Sequence, residues 1–454
     1  MASRVIFPLL IAVLLLSACS GNDQPVTGYP SPPQTPDWAK NATIYEVNLR
    51  QYTEEGTFEA FAEHLPRLRD MGVDILWFMP IHPIGEKERK GSMGSYYSVY
   101  DYYGVNPEFG DKDDFRRMVS EIHDLGMYVI LDWVANHTAW DAVWTETHPH
   151  LYETDDEGNF IIPPDTDWTD VIQLDYSLDE TREMMHDALL YWVEEFNIDG
   201  YRCDVADYVP TDFWNEARSR LDAVKPVFML AEAETPEHHI HAFDMSYGWE
   251  THHRMNELAA GDLTINEFEQ HLEENRRRFP DYAYRMQFTS NHDENSWNGT
   301  VFERYGDGAE TFAVLASTIP GMPLVYSGQE AAMDKRLEFF EKDPIEWGDY
   351  PLLDFYTRLL RLNQENHALF NGIHGGELVR VSTSEDDRVF AFYRQKEGNR
   401  VFTLLNLSDE PVTFDISSHA IAGSYTELFT DEQVTLTDRE SWEMDSWGYR
   451  VYFY

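Results

Sequence analysis

The chain has 454 residues, enough for one large domain and a small one, and its 43% hydrophobic and 14% aromatic content suits a packed globular core. A formal net charge of −48 and a pI near 4.5 describe a surface that repels nucleic-acid phosphates and anionic lipid, leaving neutral substrates and cations as partners. Lysine is scarce beside Arg, Asp and Glu, which reads as an acidic surface screened by a saline habitat or as that of a merely acidic exported protein.

In chain order, Arg4 precedes the apolar run VIFPLLIAVLLL and then LSAC, the pattern of an export signal over residues 1–18. The run is shorter than the ~20 apolar residues a spanning helix needs. LSAC resembles a bacterial lipobox, which would make Cys19 the lipid attachment site and put the protein on a membrane anchor at the periplasmic or cell-surface side. Residues 19–37, rich in Pro, Ser and Gly, read as a tether. With Cys19 acylated or removed, Cys203 has no disulfide partner.

From Trp38 onward, apolar runs alternate with helical stripes. Strands are predicted at TIYEVN, VDILWFMP, MYVILDWV, IDGYRCD, VFMLAEAE, HAFDMSY, RMQFTSNHD and MPLVYSG. A helix over TFEAFAEHLPRLRDMG ends at Gly72, and another opens on Asp113 and Asp114. Further helices are expected near 211–223, 252–260, 264–279, 308–318 and 350–370. Eight strand–helix repeats predict a (β/α)8 TIM barrel over 38–370, with an inserted subdomain at 138–177 after strand three. DDEGNF inside that insertion reads as a hairpin turn, because the alternating Asp of a calcium loop is missing. Residues 371–454 read as an all-β sandwich.

In such a barrel, polar residues at the C-terminal strand ends are the catalytic candidates. Strand three ends in LDWVANH, with Asp132, Asn136 and His137; strand four in GYRCD, with Arg202 and Asp204. Strand five ends on Glu232, and strand seven on His292 and Asp293. Side-chain alternation puts Gly200, Arg202 and Asp204 on one face and Cys203 on the other, where a small apolar residue packs. A guanidinium beside Asp204 is expected to keep that acid ionised, as a nucleophile requires; a structural ion pair is the alternative.

DWVANH, GYRCDVAD, FMLAE and FTSNHD, in this order and spacing, together with GSYYSVYDYYGVNPEFGD after strand two, resemble the signature segments of the α-amylase family, glycoside hydrolase family 13. The resemblance runs from about residue 38 to the β-domain. It implies that Asp204 is the nucleophile, that Glu232 is the general acid and then base, and that Asp293 holds the sugar and stabilises the distorted transition state. It further implies that Arg202 orients Asp204, that His137 and His292 hydrogen-bond the sugar, and that Tyr97 stacks beneath it. A retaining glycosidase needs two carboxyls ~5–5.5 Å apart, one ionised and one protonated, in environments that separate their pKa values. Glu234 shares the strand face of Glu232, but it approaches Pro236 and a loop, so Glu232 is preferred.

Many members have Lys-His shortly after the nucleophile; here Asp207 and Tyr208 stand instead, which puts the contacts beyond the cleavage point and one calcium contact in doubt. No cofactor is needed for the chemistry and no metal ligand is assigned; a structural Ca2+ near Asn136 stays open. Trp140, Trp144, Trp168, Trp249 and Trp297 are candidates for lining a sugar cleft or for packing. The expected activity is cleavage of α-1,4-glucosidic bonds in starch-derived glucans or maltooligosaccharides, with soluble oligosaccharides favoured over granules. A 4-α-glucanotransferase, a cyclodextrin- or α-1,6-active enzyme and a non-catalytic glucan-binding lipoprotein are the alternatives. Oligomeric state is not legible in the sequence.

Overall fold

A computed structural model describes residues 32–454. The export signal, Cys19 and most of the tether lie outside the described residues. Among the described residues no helix is long and apolar enough to cross a membrane. Eight parallel strands close into a barrel: β1 (Ile44–Val47), β2 (Ile75–Phe78), β3 (Tyr128–Trp133), β6 (Gly200–Cys203), β7 (Phe228–Ala231), β8 (Met245–Tyr247), β9 (Tyr284–Gln287) and β10 (Met322–Tyr326). These are the eight runs predicted from the sequence. Alternation sorts each strand into two cores. Ile44, Ile75, Trp77, Ile130, Phe228, Leu230, Met245 and Met286 fill the barrel. Tyr45, Leu76, Phe78, Val129, Leu131, Tyr201, Cys203 and Met229 face the helix layer. Each such side chain contributes ~1.5–3 kcal/mol by leaving water.

Below the barrel, the turn Asp37–Asn41 closes its N-terminal end, with Trp38 stacked on Tyr128 at 3.9 Å between ring centroids. Gln34 and Thr35, assigned to the tether, are fastened to the barrel: the Gln34 carbonyl accepts from Arg218, and the Thr35 hydroxyl donates to Asp244.

The single helix expected before Gly72 is two, Phe58–Ala62 and Leu65–Met71. Pro66 lacks an amide hydrogen and its ring would clash with the carbonyl of Ala62, so the first helix stops and a second starts with Pro66 in its first turn. Gly72 ends the second helix at φ +99°, where a glycine avoids a Cβ clash. The next helix, Lys112–Asp124, carries Asp113 and Asp114 in its first turn as expected; Asp111 caps it, and Asp111 and Asp114 form a capping box.

The insertion carries two short strands that the sequence did not announce, β4 (His137–Ala139) and β5 (Val171–Gln173), paired antiparallel. DDEGNF forms a hairpin tip: the Asp155 amide donates to the Asn159 carbonyl, and Asp155 Oδ1 accepts from the Asn159 amide. In the C-terminal region, β11 (Leu378–Val381), β12 (Val389–Lys396), β13 (Asn399–Asn406), β18 (Tyr449–Phe453), β15 (Gly423–Glu427) and β16 (Gln433–Leu436) form one sheet. A two-stranded antiparallel sheet of β14 (Val412–Ser417) and β17 (Arg439–Met444) covers it, with Phe402, Leu404, Phe414, Ile416 and Tyr452 between the layers.

Candidate active site

The inward positions near the C-terminal strand ends change from apolar to polar. Glu46, Asp132 and Arg202 all occupy this layer, each 0% exposed, with Asp132 and Arg202 directly opposite across the β3–β6 pair. Above them opens a cavity of about 510 Å³, lined by Tyr97, His137, Asp204, Glu232, His292 and Asp293. Six of the seven catalytic and sugar-binding residues expected from the sequence therefore face one space. The seventh, Arg202, lies beneath it.

Arg202 organises the cluster. Its Nη1 donates to Asp132 Oδ1 at 2.9 Å and to Asp204 Oδ1 at 3.0 Å, and its Nε donates to the Tyr247 hydroxyl at 3.0 Å. Nη2 lies 2.9 Å from Glu232 Oε2 as an ion pair, without the alignment of a hydrogen bond. One guanidinium fork thus holds Asp204 and Glu232 on adjacent nitrogens. That fits the close ~5–5.5 Å spacing of retaining chemistry better than the ~6.5–9.5 Å that leaves room for a water.

The electrostatics differ from the sequence reading in one respect. Burial, followed by the Glu232 carboxylate, pushes the Asp204 carboxyl well up, and Arg202 only opposes this. Arg202 lowers Asp204, in the direction expected from the sequence, but it is shared among three carboxylates and acts against burial and Glu232. Burial also lifts Asp132, against Arg202, to about 6. Burial thus works against full ionisation of the carboxylate cluster, and Arg202 works for it. The two histidines separate the other way. Burial lowers His137 to about 3. Its Nδ1 faces the Asn136 amide nitrogen at 3.2 Å, so a neutral ring directs its Nε2–H elsewhere. For His292 burial opposes the charge, but Asp293 and Glu46 outweigh it and raise the group to about 9.

Backbone strain sits beside Asp204. Val205 adopts φ +36° and ψ 52°, a left-handed conformation that β-branched residues avoid. This turn aims the Val205 amide at Glu232 Oε2, 2.8 Å away. Gly200 begins the same strand at φ +152°, where a Cβ would lie 1.8 Å from the Phe228 carbonyl oxygen. Cys203 is buried on the opposite face of β6, in the helix-side core, with burial raising its thiol.

Of the two glutamates on one strand face, Glu232 lines the cleft. Glu234 instead pairs with Arg285 at 2.5 Å and accepts from the Glu250 amide. Two of the five candidate tryptophans, Trp168 and Trp297, line the cleft. Trp168 stacks with Tyr208 at 6.1 Å and an interplanar angle of 27°, and Trp297 meets Phe339 at 5.3 Å. Trp144 packs on Tyr102, Trp249 packs on Tyr247 and Phe288, and the Trp140 indole donates to the Thr169 carbonyl. Asp207 pairs with His238 at 2.9 Å. Residues that sequence reasoning missed include Glu46, which meets His292, Tyr247, which accepts from Arg202, and Lys90, which pairs with Asp170 across the cleft at 3.0 Å. Strand alternation from Ile44 points to Glu46; nothing local marks Lys90.

At Asn136 the side-chain oxygen accepts from Gln173 Nε2 at 2.9 Å, and the same nitrogen donates to the Leu174 carbonyl at 3.1 Å. An amide group therefore occupies the point toward which two oxygens turn. Among the described residues no group of three or more His, Cys, Asp or Glu is arranged to hold a metal ion.

Comparison with known proteins agrees with this geometry. The catalytic domain of α-amylase matches residues 35–173 and 166–350, and the C-terminal domain of maltogenic amylase matches 379–451. The α-amylase MalA of Haloarcula japonica is 26% identical over 438 residues; the match takes in 89% of this chain but 62% of MalA, so the chain spans under two thirds of that relative's length. A noncanonic maltogenic α-amylase, AmyB of Thermotoga neapolitana, superimposes with a TM-score of 0.82 at 29% identity, covering 92% of this chain and 99% of AmyB. An α-amylase from Lactobacillus plantarum gives a TM-score of 0.81 at 31% identity, covering 92% and 99%. The chain belongs to the α-amylase family, and its C-terminal domain is of the maltogenic amylase type.

Proposed function

We propose that the chain is a retaining glycoside hydrolase that cleaves α-1,4-glucosidic bonds in starch-derived glucans and maltooligosaccharides. The observation that carries this reading is the Arg202 fork, which holds Asp204 and Glu232 at one cleft wall with Asp293 beside them. In the first step Glu232 gives its proton to the glycosidic oxygen while an Asp204 oxygen bonds to the anomeric carbon, and the leaving sugar departs as an alcohol. In the second step water attacks that carbon, Glu232 takes the water's proton, and Asp204 leaves as a carboxylate. Two inversions restore the anomer. Asp293 and the His292 imidazolium flank the sugar being attacked, and Trp168 with Tyr208 offers apolar ring faces to it or its neighbours.

The acidic surface agrees with an uncharged substrate. Export and anchoring through lipidated Cys19 extend the reading to the cell exterior or periplasm, on the strength of the N-terminal pattern. A calcium ion at Asn136 is not part of the proposal: the Gln173 amide hydrogens meet the oxygens that would hold one.

The test is a time course of the purified full chain with maltopentaose, resolved by chain length. Shorter sugars with rising reducing ends are expected. Longer sugars at constant reducing ends would make the chain a transferase, and no turnover would contradict the reading.

A further inference from the structure

Glu46 stands at the end of β1, on a strand that supplies none of the three catalytic carboxylates, and its side chain is fully buried. A buried carboxylate needs partners. Both of its oxygens go to one residue: Oε1 lies 2.5 Å from His292 Nδ1, and Oε2 accepts from the His292 backbone amide at 3.3 Å. Among the described residues no lysine or arginine pairs with it; His292 is its one cationic partner. On its other side, His292 Nε2 lies 2.9 Å from the Tyr97 hydroxyl and 3.3 Å from Asp293 Oδ2. The Tyr97 hydroxyl lies 3.0 Å from Asp132 Oδ2, and Asp132 shares Arg202 with the nucleophile.

We propose that Glu46 is a positioning residue that keeps His292 doubly protonated and so sets the direction of a hydrogen-bond chain reaching from β1 to the nucleophile. An imidazolium donates on both sides: Nδ1–H to Glu46 and Nε2–H toward Tyr97 and the cleft. The Tyr97 oxygen accepts, leaving its own hydrogen for Asp132. Asp132 then receives donors from Tyr97, Arg202 and the Trp77 indole, which lies 3.0 Å away. A neutral His292 that still donated to Glu46 would turn Nε2 into an acceptor. Tyr97 would then donate to His292, Asp132 would lose a donor, and Arg202 would be drawn from Asp204 toward Asp132. The sugar would also lose a charged donor beside Asp293.

The groups facing His292 can be named from every packed element. Glu46 on β1 and Asp293 on its own loop favour the charge, and Asp132 on β3 interacts favourably with it. Arg202 on β6 opposes it. Tyr97 after β2 contacts Nε2 and is held neutral, as burial raises its phenol. Trp77 and Phe339 supply apolar ring contacts at 6.1 and 6.3 Å. Of the favouring groups, Glu46 is the one that touches the ring from outside the cleft, where a bound sugar does not displace it.

The inference rests on the hydrolase reading for its consequence, but the protonation state is measurable without substrate. The full chain with 15N-labelled histidine is titrated by NMR as wild type, Glu46→Gln and Glu46→Asp, with His292→Asn assigning the resonance. His292 is expected to remain an imidazolium to about pH 9 in the wild type and to lose its proton at least one pH unit lower in Glu46→Gln. Glu46→Asp, which keeps the charge, should stay closer to wild type. With maltopentaose, Glu46→Gln should lose at least tenfold in kcat on the alkaline side, with its alkaline limb moved to lower pH and KM changed less. Identical His292 titration in wild type and Glu46→Gln would overturn the proposal, as would equal, pH-independent losses in both variants. If the wild type turns over no glucan, the hydrolase reading falls, while the titration still decides the role of Glu46.

Discussion

Replacing Arg202 by methionine isolates the electrostatic centre of the site. Arg202 is fully buried and lies within 3.0 Å of Asp132, Asp204 and Glu232, whose side chains are 0%, 9% and 14% exposed. Methionine keeps much of the stem and removes the only guanidinium they share. Breaking a buried pair by deleting one partner costs ~3–5 kcal/mol, because the other charge stays buried and unpaired. The orphaned carboxylates respond by taking up protons, so their folded pKa values rise above the ordinary unfolded values of about 4. The sign follows. A carboxylate whose folded pKa is raised destabilises the protein fully above that pKa, and the penalty fades as pH falls toward the unfolded value. Without Arg202 these values rise further, so the penalty fades at higher pH than in the wild type. The gap between wild type and Arg202→Met should be widest near pH 8, at ~3–5 kcal/mol, and should narrow toward about pH 5. Urea midpoints of both proteins across that range measure it. Adding Asp204→Asn to the variant should recover part of the loss, since it removes one of the unpaired charges. A gap that is small at pH 8, or constant across the range, would refute the reasoning.

Three further outcomes follow from other parts of the structure. Gly200→Ala should yield no stably folded protein by circular dichroism, because its Cβ would lie 1.8 Å from a backbone oxygen of the neighbouring strand and its φ is +152°; a variant with wild-type thermal stability would contradict that packing. Excess chelator should leave the melting temperature unchanged, while Gln173→Ala should cost ~1–3 kcal/mol by leaving buried oxygens of Asn136 and Leu174 without their donor; a chelator-induced drop restored by calcium would show that an ion is bound after all. Sodium chloride raised from ~0.1 to ~1 M shortens the Debye length from ~10 to ~3 Å, so a chain of net charge −48 should melt at a higher temperature in it; a flat or falling response would remove the saline-habitat reading.

The barrel was legible because buried parallel strands are continuous apolar runs and their polar ends stand out against them. ILDW and FMLAE each announce a strand and the place where it meets the cleft. The same rule separates Cys203 from Arg202 and Asp204. What alternation does not carry is distance across the barrel. Glu46 reads as an interior position of β1, but its partner is 246 residues away, and only closure of the barrel brings them together. Nor does one neighbouring arginine determine a pKa. Burial and the nearby Glu232 carboxylate oppose Arg202 at Asp204, and both are properties of the fold. The weaker strands escaped for a local reason. GSYTE, QVTL and RESWEM alternate thinly, and only four of their fifteen residues are buried, so only pairing with stronger strands defines them. The bend at Val205 left no mark at all, since valine is a residue from which a left-handed turn is not expected.

The central claim is that Asp204 bonds covalently to the sugar while Glu232 handles the proton. It is tested most directly by trapping the intermediate. The purified chain is incubated with a fluorinated α-glucosyl fluoride, whose ring fluorine slows the second step, and its intact mass and peptide map are recorded. The expected result is a mass gain of one modified sugar on the peptide holding Asp204, absent in Asp204→Asn. An active enzyme that forms no adduct, or one whose adduct lies on Glu232, Asp293 or Asp132, would contradict the assignment.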